Sequence, residues 1–159
     1  MLSIQFKTKD SLIKEILDAP LGHVITVLEN HLNCNIKLDL IEQNTSKPGS
    51  EFERKITISS NNLPLIKAII KFDKKTLPKL VVSQLLQKRK LVGTILSMNN
   101  IPNKKDVIFL KVEEGRKIIR VYQIKYDQNI FFEISEEIRL DYIDVIKKEF
   151  VRGENCGNE

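Results

Sequence analysis

The chain has 159 residues, 42% hydrophobic and 30% charged, with a formal net charge of +5. That balance fits one soluble domain with a core of its own and excludes a disordered or fibrous chain. No apolar run nears the roughly 20 residues of a membrane span, the first residues lack the apolar segment of a signal peptide, and the lysines are dispersed without interleaved aromatics. An integral membrane role and a nucleic-acid partner are therefore not expected, and the cytoplasm is the expected compartment.

Asp10 or Ser11 can cap a helix over SLIKEIL, whose Leu12, Ile13, Ile16 and Leu17 recur at helical spacing and which stops ahead of Pro20. Beyond Pro20 and Gly22, HVITVLENHLN carries Val24, Val27, Leu28, His31 and Leu32 on one face of a second helix. His23 and His31 lack the four-residue step of a helical metal pair, and Cys34 and Cys156 stand far apart, so neither a metal site nor a disulfide framework is read.

The period then changes to two. Ile36, Leu38 and Leu40 alternate with Lys37, Asp39 and Ile41 as in a strand with one covered face, and Asn44–Ser50 has the composition of a loop. In the next strand, Phe52–Ser59, the apolar row of Phe52, Ile56 and Ile58 includes Arg54, an inward-leaning cation that needs an anion or a way back to water. Asn61-Asn62 turns the chain into Leu65–Phe72, and three such strands in succession predict an antiparallel meander with helices on one face.

After Leu77-Pro78 a helix is predicted over KLVVSQLLQKRK, with Leu80, Val81, Leu85 and Leu86 inward and the basic QKRK at its C-terminal end. Leu91-Val92-Gly93-Thr94 reads as a strand entry or loop, where glycine permits close approach of backbone to a ligand or to another strand. Asn99–Lys105 is a loop, Asp106–Val112 a strand, Gly115 a break and Lys117–Tyr126 a strand. Met98 and the phenylalanines are assigned to the core.

Asp127-Gln128 supplies a hairpin turn into NIFFEISEEIR. There Ile130, Phe132 and Ile134 share one face, Phe131 and Glu133 the other, and a two-residue loop sets Tyr122 opposite Glu133 and Ile124 opposite Phe131. A carboxyl group among aromatics marks a pocket edge, because its charge is expensive to bury alone. A final helix is read from Glu136 on, through Ile138, Tyr142, Val145 and Ile146. The whole is a single α+β domain over residues 1–150, an antiparallel sheet with helices packed on one face enclosing a small ligand pocket, with a disordered tail over 151–159.

The order of four pieces, the helix GHVITVLE, the strand RKITIS, the loop LVGTIL and the strand FFEISEE, resembles the chorismate pyruvate-lyase family and the ligand-sensing domains of transcription regulators that share its fold. The resemblance spans Leu21 to Glu136. It implies a chorismate lyase-like fold and a cofactor-independent carbon–oxygen lyase without a metal, converting chorismate to 4-hydroxybenzoate and pyruvate. By position it makes Arg54 the grip on the ligand carboxylate and Glu133 the pocket acid. Val24 and Val92 become sources of backbone amides for ligand oxygens, with Gly93 allowing the approach. Apart from the resemblance, Arg120, near the start of the strand Lys117–Tyr126, is read as adding positive potential to the pocket. Where many relatives carry a hydroxyl residue in the first helix motif this chain has Ile25, with Thr26 one place later.

Chorismate is a dianion, and releasing pyruvate as the ring aromatises requires a ring proton to be lost and a proton to reach the enolpyruvyl side. An arginine fork suits a carboxylate, and a desolvated carboxyl group suits the acid. Three readings stay open on the sequence: the lyase, a non-catalytic sensor of small aromatic carboxylates, and an enzyme of this fold acting on another aromatic acid.

Overall fold

Asp10 caps the first helix, α1 (Ser11–Asp18), its carboxylate accepting from the amides of Leu12 and Ile13 at 2.9 and 3.1 Å. The second, α2 (Val24–Leu32), ends at Asn33, which takes the left-handed conformation and donates its amide to Glu29. The computed structural model of the chain describes residues 8–45, 51–102 and 104–151. Of the expected loop at Asn44–Ser50, Asn44 and Thr45 belong to a strand and 46–50 lie outside the described residues; of the tail expected over 151–159, Val151 is the last residue of a helix and 152–159 lie outside the described residues.

Six strands follow the two helices: β1 (Lys37–Thr45), β2 (Glu51–Ser60), β3 (Leu63–Asp73), β4 (Lys105–Glu113), β5 (Lys117–Tyr126) and β6 (Asn129–Arg139). Between β3 and β4 lie α3 (Lys79–Leu86) and α4 (Val92–Met98), and α5 (Leu140–Val151) closes the described chain. The sheet is antiparallel throughout in the order β1-β2-β3-β6-β5-β4, two three-stranded meanders joined along β3 and β6. Two hairpins turn on the pairs Asn61-Asn62 and Asp127-Gln128, all four at positive φ, the backbone hand that matches strand twist.

Register aligns rows of side chains across the strands. Arg54, Ile70, Ile134 and Tyr122 form one row, Ile56, Ala68, Glu136 and Arg120 the next, and Ile58, Ile66, Ile138 and Ile118 the third. These rows meet the helices. At one end Phe72, Ile124 and Phe132 pack with Val81 and Leu85 of α3 and Ile95 and Leu96 of α4. At the other, Ile66, Ile118 and Ile138 pack with Leu12 and Ile16 of α1, Leu28 of α2 and Ile143 of α5. The charged row lies between the two apolar clusters, while Lys67 and Lys71 on the reverse face are exposed.

Several expectations are corrected. The stretch after Leu91 is helix α4 rather than a strand entry, and β6 runs on to Arg139, so Glu136 is a strand residue. Helix α3 ends at Leu86 and packs through Val81 and Leu85, leaving Leu80 62% exposed and Leu86 outward; QKRK lies beyond its last turn. Met98 and Phe109 are exposed rather than core. Cys34, from which no disulfide was read, is disulfide-bonded, with its partner outside the described residues.

Candidate functional site

A cavity of about 50 Å³ lies over the middle of the covered face. Ala68 is the reason it exists: it is the smallest side chain of the three rows, between Ile56 and Glu136. Arg54, Ile70 and Ile134 continue the floor, and Lys105, Tyr122 and Glu136 also line the cavity. The roof is the turn at Leu21-Gly22, the start of α2 at Val24 and Ile25, and the start of α4 at Leu91 to Gly93.

Arg54 is 2% exposed. Its Nε donates to Gln43 Oε1 at 2.7 Å, Nη1 to the carbonyl of Lys90 and Nη2 to that of Leu85, each at 2.9 Å. Gln43 reaches the covered face because Ile41 is an extra residue in β1: Leu40 pairs with Ile56, and Glu42 already with Lys55. Arg54 therefore ties β1 to the end of α3 and the connection into α4. Among the described residues no carboxylate faces it, and burial holds its pKa below the ordinary value.

Glu136, 7% exposed, has both oxygens engaged. Oε1 accepts from Arg120 Nε at 2.6 Å and Oε2 from the Tyr122 hydroxyl at 3.2 Å. Arg120 also donates through Nη1 to the Leu17 carbonyl at the end of α1, and its guanidinium lies 4.9 Å from the Tyr122 ring centroid. Burial, and then the Glu136 charge, push the Tyr122 phenol well above its usual range, so Tyr122 keeps its proton and donates it. Lys105 stands beside this group, its Nζ buried without a hydrogen-bond partner and 5.0 Å from the same ring. Burial and the Arg120 charge lower its pKa to about 8, against the opposing pull of Glu136 and Asp18.

The residues expected at the site divide accordingly. Arg54, Val24, Val92 and Gly93 surround the cavity. Val24 and Val92 open α2 and α4, so their amides lie outside the helical ladders. Gly93 serves a different approach from the one expected: a Cβ there would sit 2.0 Å from the Leu21 carbonyl oxygen, so it lets the roof turn seat on α4. Arg120 stands behind Glu136 and positions it.

Glu133 is not brought to the cavity. It pairs with Lys71 and Gln123 on the reverse face, is only partly buried, and lies on the opposite side of the sheet from Arg54. The hairpin loop is Asp127-Gln128 as expected, but Phe131 is an extra residue in β6: Lys125 pairs with Ile130, and Ile124 with Phe132. Tyr122 consequently meets Ile134 rather than Glu133, and Ile130, expected to share a face with Phe132, turns outward at 47% exposure. Glu136, Tyr122 and Lys105 were missed. For Glu136 the signal was present, since the two-residue period of Phe132 and Ile134 reaches it.

No protein-family model matches the chain, and no curated protein matches it. Among the described residues no group of three or more His, Cys, Asp or Glu side chains could hold a metal ion, and no helix is long and apolar enough to cross a membrane.

Proposed function

We propose that the cavity over Ala68 binds a small aromatic carboxylate and that the chain acts there as a chorismate pyruvate-lyase, with a chorismate lyase-like fold and with Glu136 in the role the family resemblance gave to Glu133. One observation carries the reading: buried Arg54 and Lys105 line one cavity whose single carboxylate, Glu136, Arg120 already engages. A buried surplus of cations is costly unless an anion joins it. A dianion meets the need, one carboxylate taking the Arg54 N–H groups left over from Gln43, Lys90 and Leu85, the other facing Lys105.

Glu136 is then the pocket acid that takes the ring proton as the C–O bond breaks and returns it to the leaving enolpyruvyl group, with Tyr122 and Arg120 fixing its orientation, and the enclosure excludes water while the ring aromatises. At about 50 Å³ the cavity is smaller than the ~150 Å³ that admits a benzene ring, so entry requires the roof to yield. A second reading, binding without turnover, is favoured by one feature: both Glu136 oxygens are already occupied.

The test is purified protein with chorismate, followed by absorbance for 4-hydroxybenzoate, beside calorimetric titration with 4-hydroxybenzoate. Product formation supports the lyase, binding without turnover selects the sensor, and neither removes both. Because Arg54 also ties two carbonyls, Arg54→Lys is the informative substitution. It keeps the charge, loses the planar fork, and is expected to weaken carboxylate binding about tenfold or more; unchanged affinity in a folded variant removes Arg54 from the site.

A further inference from the structure

We infer that Lys105 captures 2-oxo acids as an imine, so that the cavity can hold a three-carbon keto acid covalently. The inference rests on reading the cavity as a carboxylate site and adds a chemistry to it. The Lys105 Nζ is the buried amine of that cavity, shut off from solvent and without a hydrogen-bond partner to satisfy it. An amine desolvated in an apolar wall and set beside another cation, here Arg120, is the arrangement that makes lysine a nucleophile. Its ionisation near pH 8 leaves a neutral fraction at physiological pH.

Size points the same way. A space of about 50 Å³ suits a three-carbon acid better than a ring, and Arg54 lines it with N–H groups to spare for the carboxylate. The charged groups around Nζ are Arg120, Glu136 and Asp18, with the protonated Tyr122 alongside. In the reaction Nζ adds to the C2 carbonyl carbon, giving a carbinolamine. The C2–O bond then breaks, the oxygen leaves with the two amine hydrogens as one water, and a C=N bond replaces C=O; no oxidant or reductant is needed. Pyruvate, the keto acid released in the proposed lyase reaction, belongs to the class captured.

The experiment is full-length protein with pyruvate and sodium borohydride, read by intact mass and peptide mapping, with Lys105→Met as control and its fold checked by circular dichroism. A single carboxyethyl group on Lys105, lost in the folded control and suppressed by excess 4-hydroxybenzoate, is the expected result. No adduct, or adducts spread over surface lysines without enrichment at Lys105, overturns the inference. Calorimetry with 4-hydroxybenzoate on the same sample separates the failures: binding without an adduct removes the imine alone, whereas an adduct at Lys105 without binding removes the aromatic-carboxylate reading.

Discussion

Glu136 accepts from Arg120 and Tyr122 on the covered face, while Glu133, on the same strand, pairs with Lys71 and Gln123 on the other. The two carboxylates therefore answer differently to the same substitution. Glu136→Gln removes the charged partner of a buried arginine and is expected to lower stability by about 1–3 kcal/mol and, on the proposed function, to abolish turnover of chorismate. Glu133→Gln is expected to leave stability within about 0.5 kcal/mol and activity unchanged. Urea unfolding and the chorismate assay check both, and equal effects at the two positions would contradict the assignment of faces. Arg54 was legible in the sequence as a cation in an apolar row. Lys105 was not: one lysine at the end of a predicted polar loop resembles any other, and only pairing with Ile124, an inward residue of β5, gives it a face.

At the scale of elements, strand identities and hairpin turns were readable because alternation and turn chemistry are local. Single-residue bulges are not local signals. Ile41 in β1, Ile108 in β4 and Phe131 in β6 each add a residue that changes which side chains look inward, and these shifts decide the partners of Arg54 and Tyr122. Helix α4 was misread because its seven residues give too short a window for periodicity. Its glycine offers a test of the roof. Gly93→Ala would place a methyl group against the Leu21 carbonyl, and backbone cannot yield as a side-chain tip can. The expected result is a loss of about 1–3 kcal/mol in urea unfolding together with weakened binding of 4-hydroxybenzoate; a variant matching the parent in both would show that the turn at Leu21-Gly22 is not seated on α4.

Over the whole molecule, the buried amine should appear in the pH dependence of stability. Lys105 ionises near pH 8 in the folded chain and at an ordinary 10.5 when exposed, so across that window the unfolded chain binds the extra proton and stability rises with pH. Below about pH 8 the folded protein carries the full penalty of a desolvated ammonium. Lys105→Met is therefore expected to be more stable than the parent at pH 7, by on the order of 1 kcal/mol, with the gap closing towards pH 10.5. Thermal unfolding of both proteins at several pH values measures this, and a gap independent of pH would place the amine in water.

The joint between β3 and β6 has a consequence for how the protein becomes competent. Arg54 and Ala68 come from one meander, Tyr122, Glu136 and Lys105 from the other, and only this pairing, distant in sequence, sets them around a common space. Contacts of such long range are slow to close during folding. On the proposed function, a half-finished molecule would own every reactive group and still recognise nothing, so that ligand binding would be a clock for the last stage of maturation.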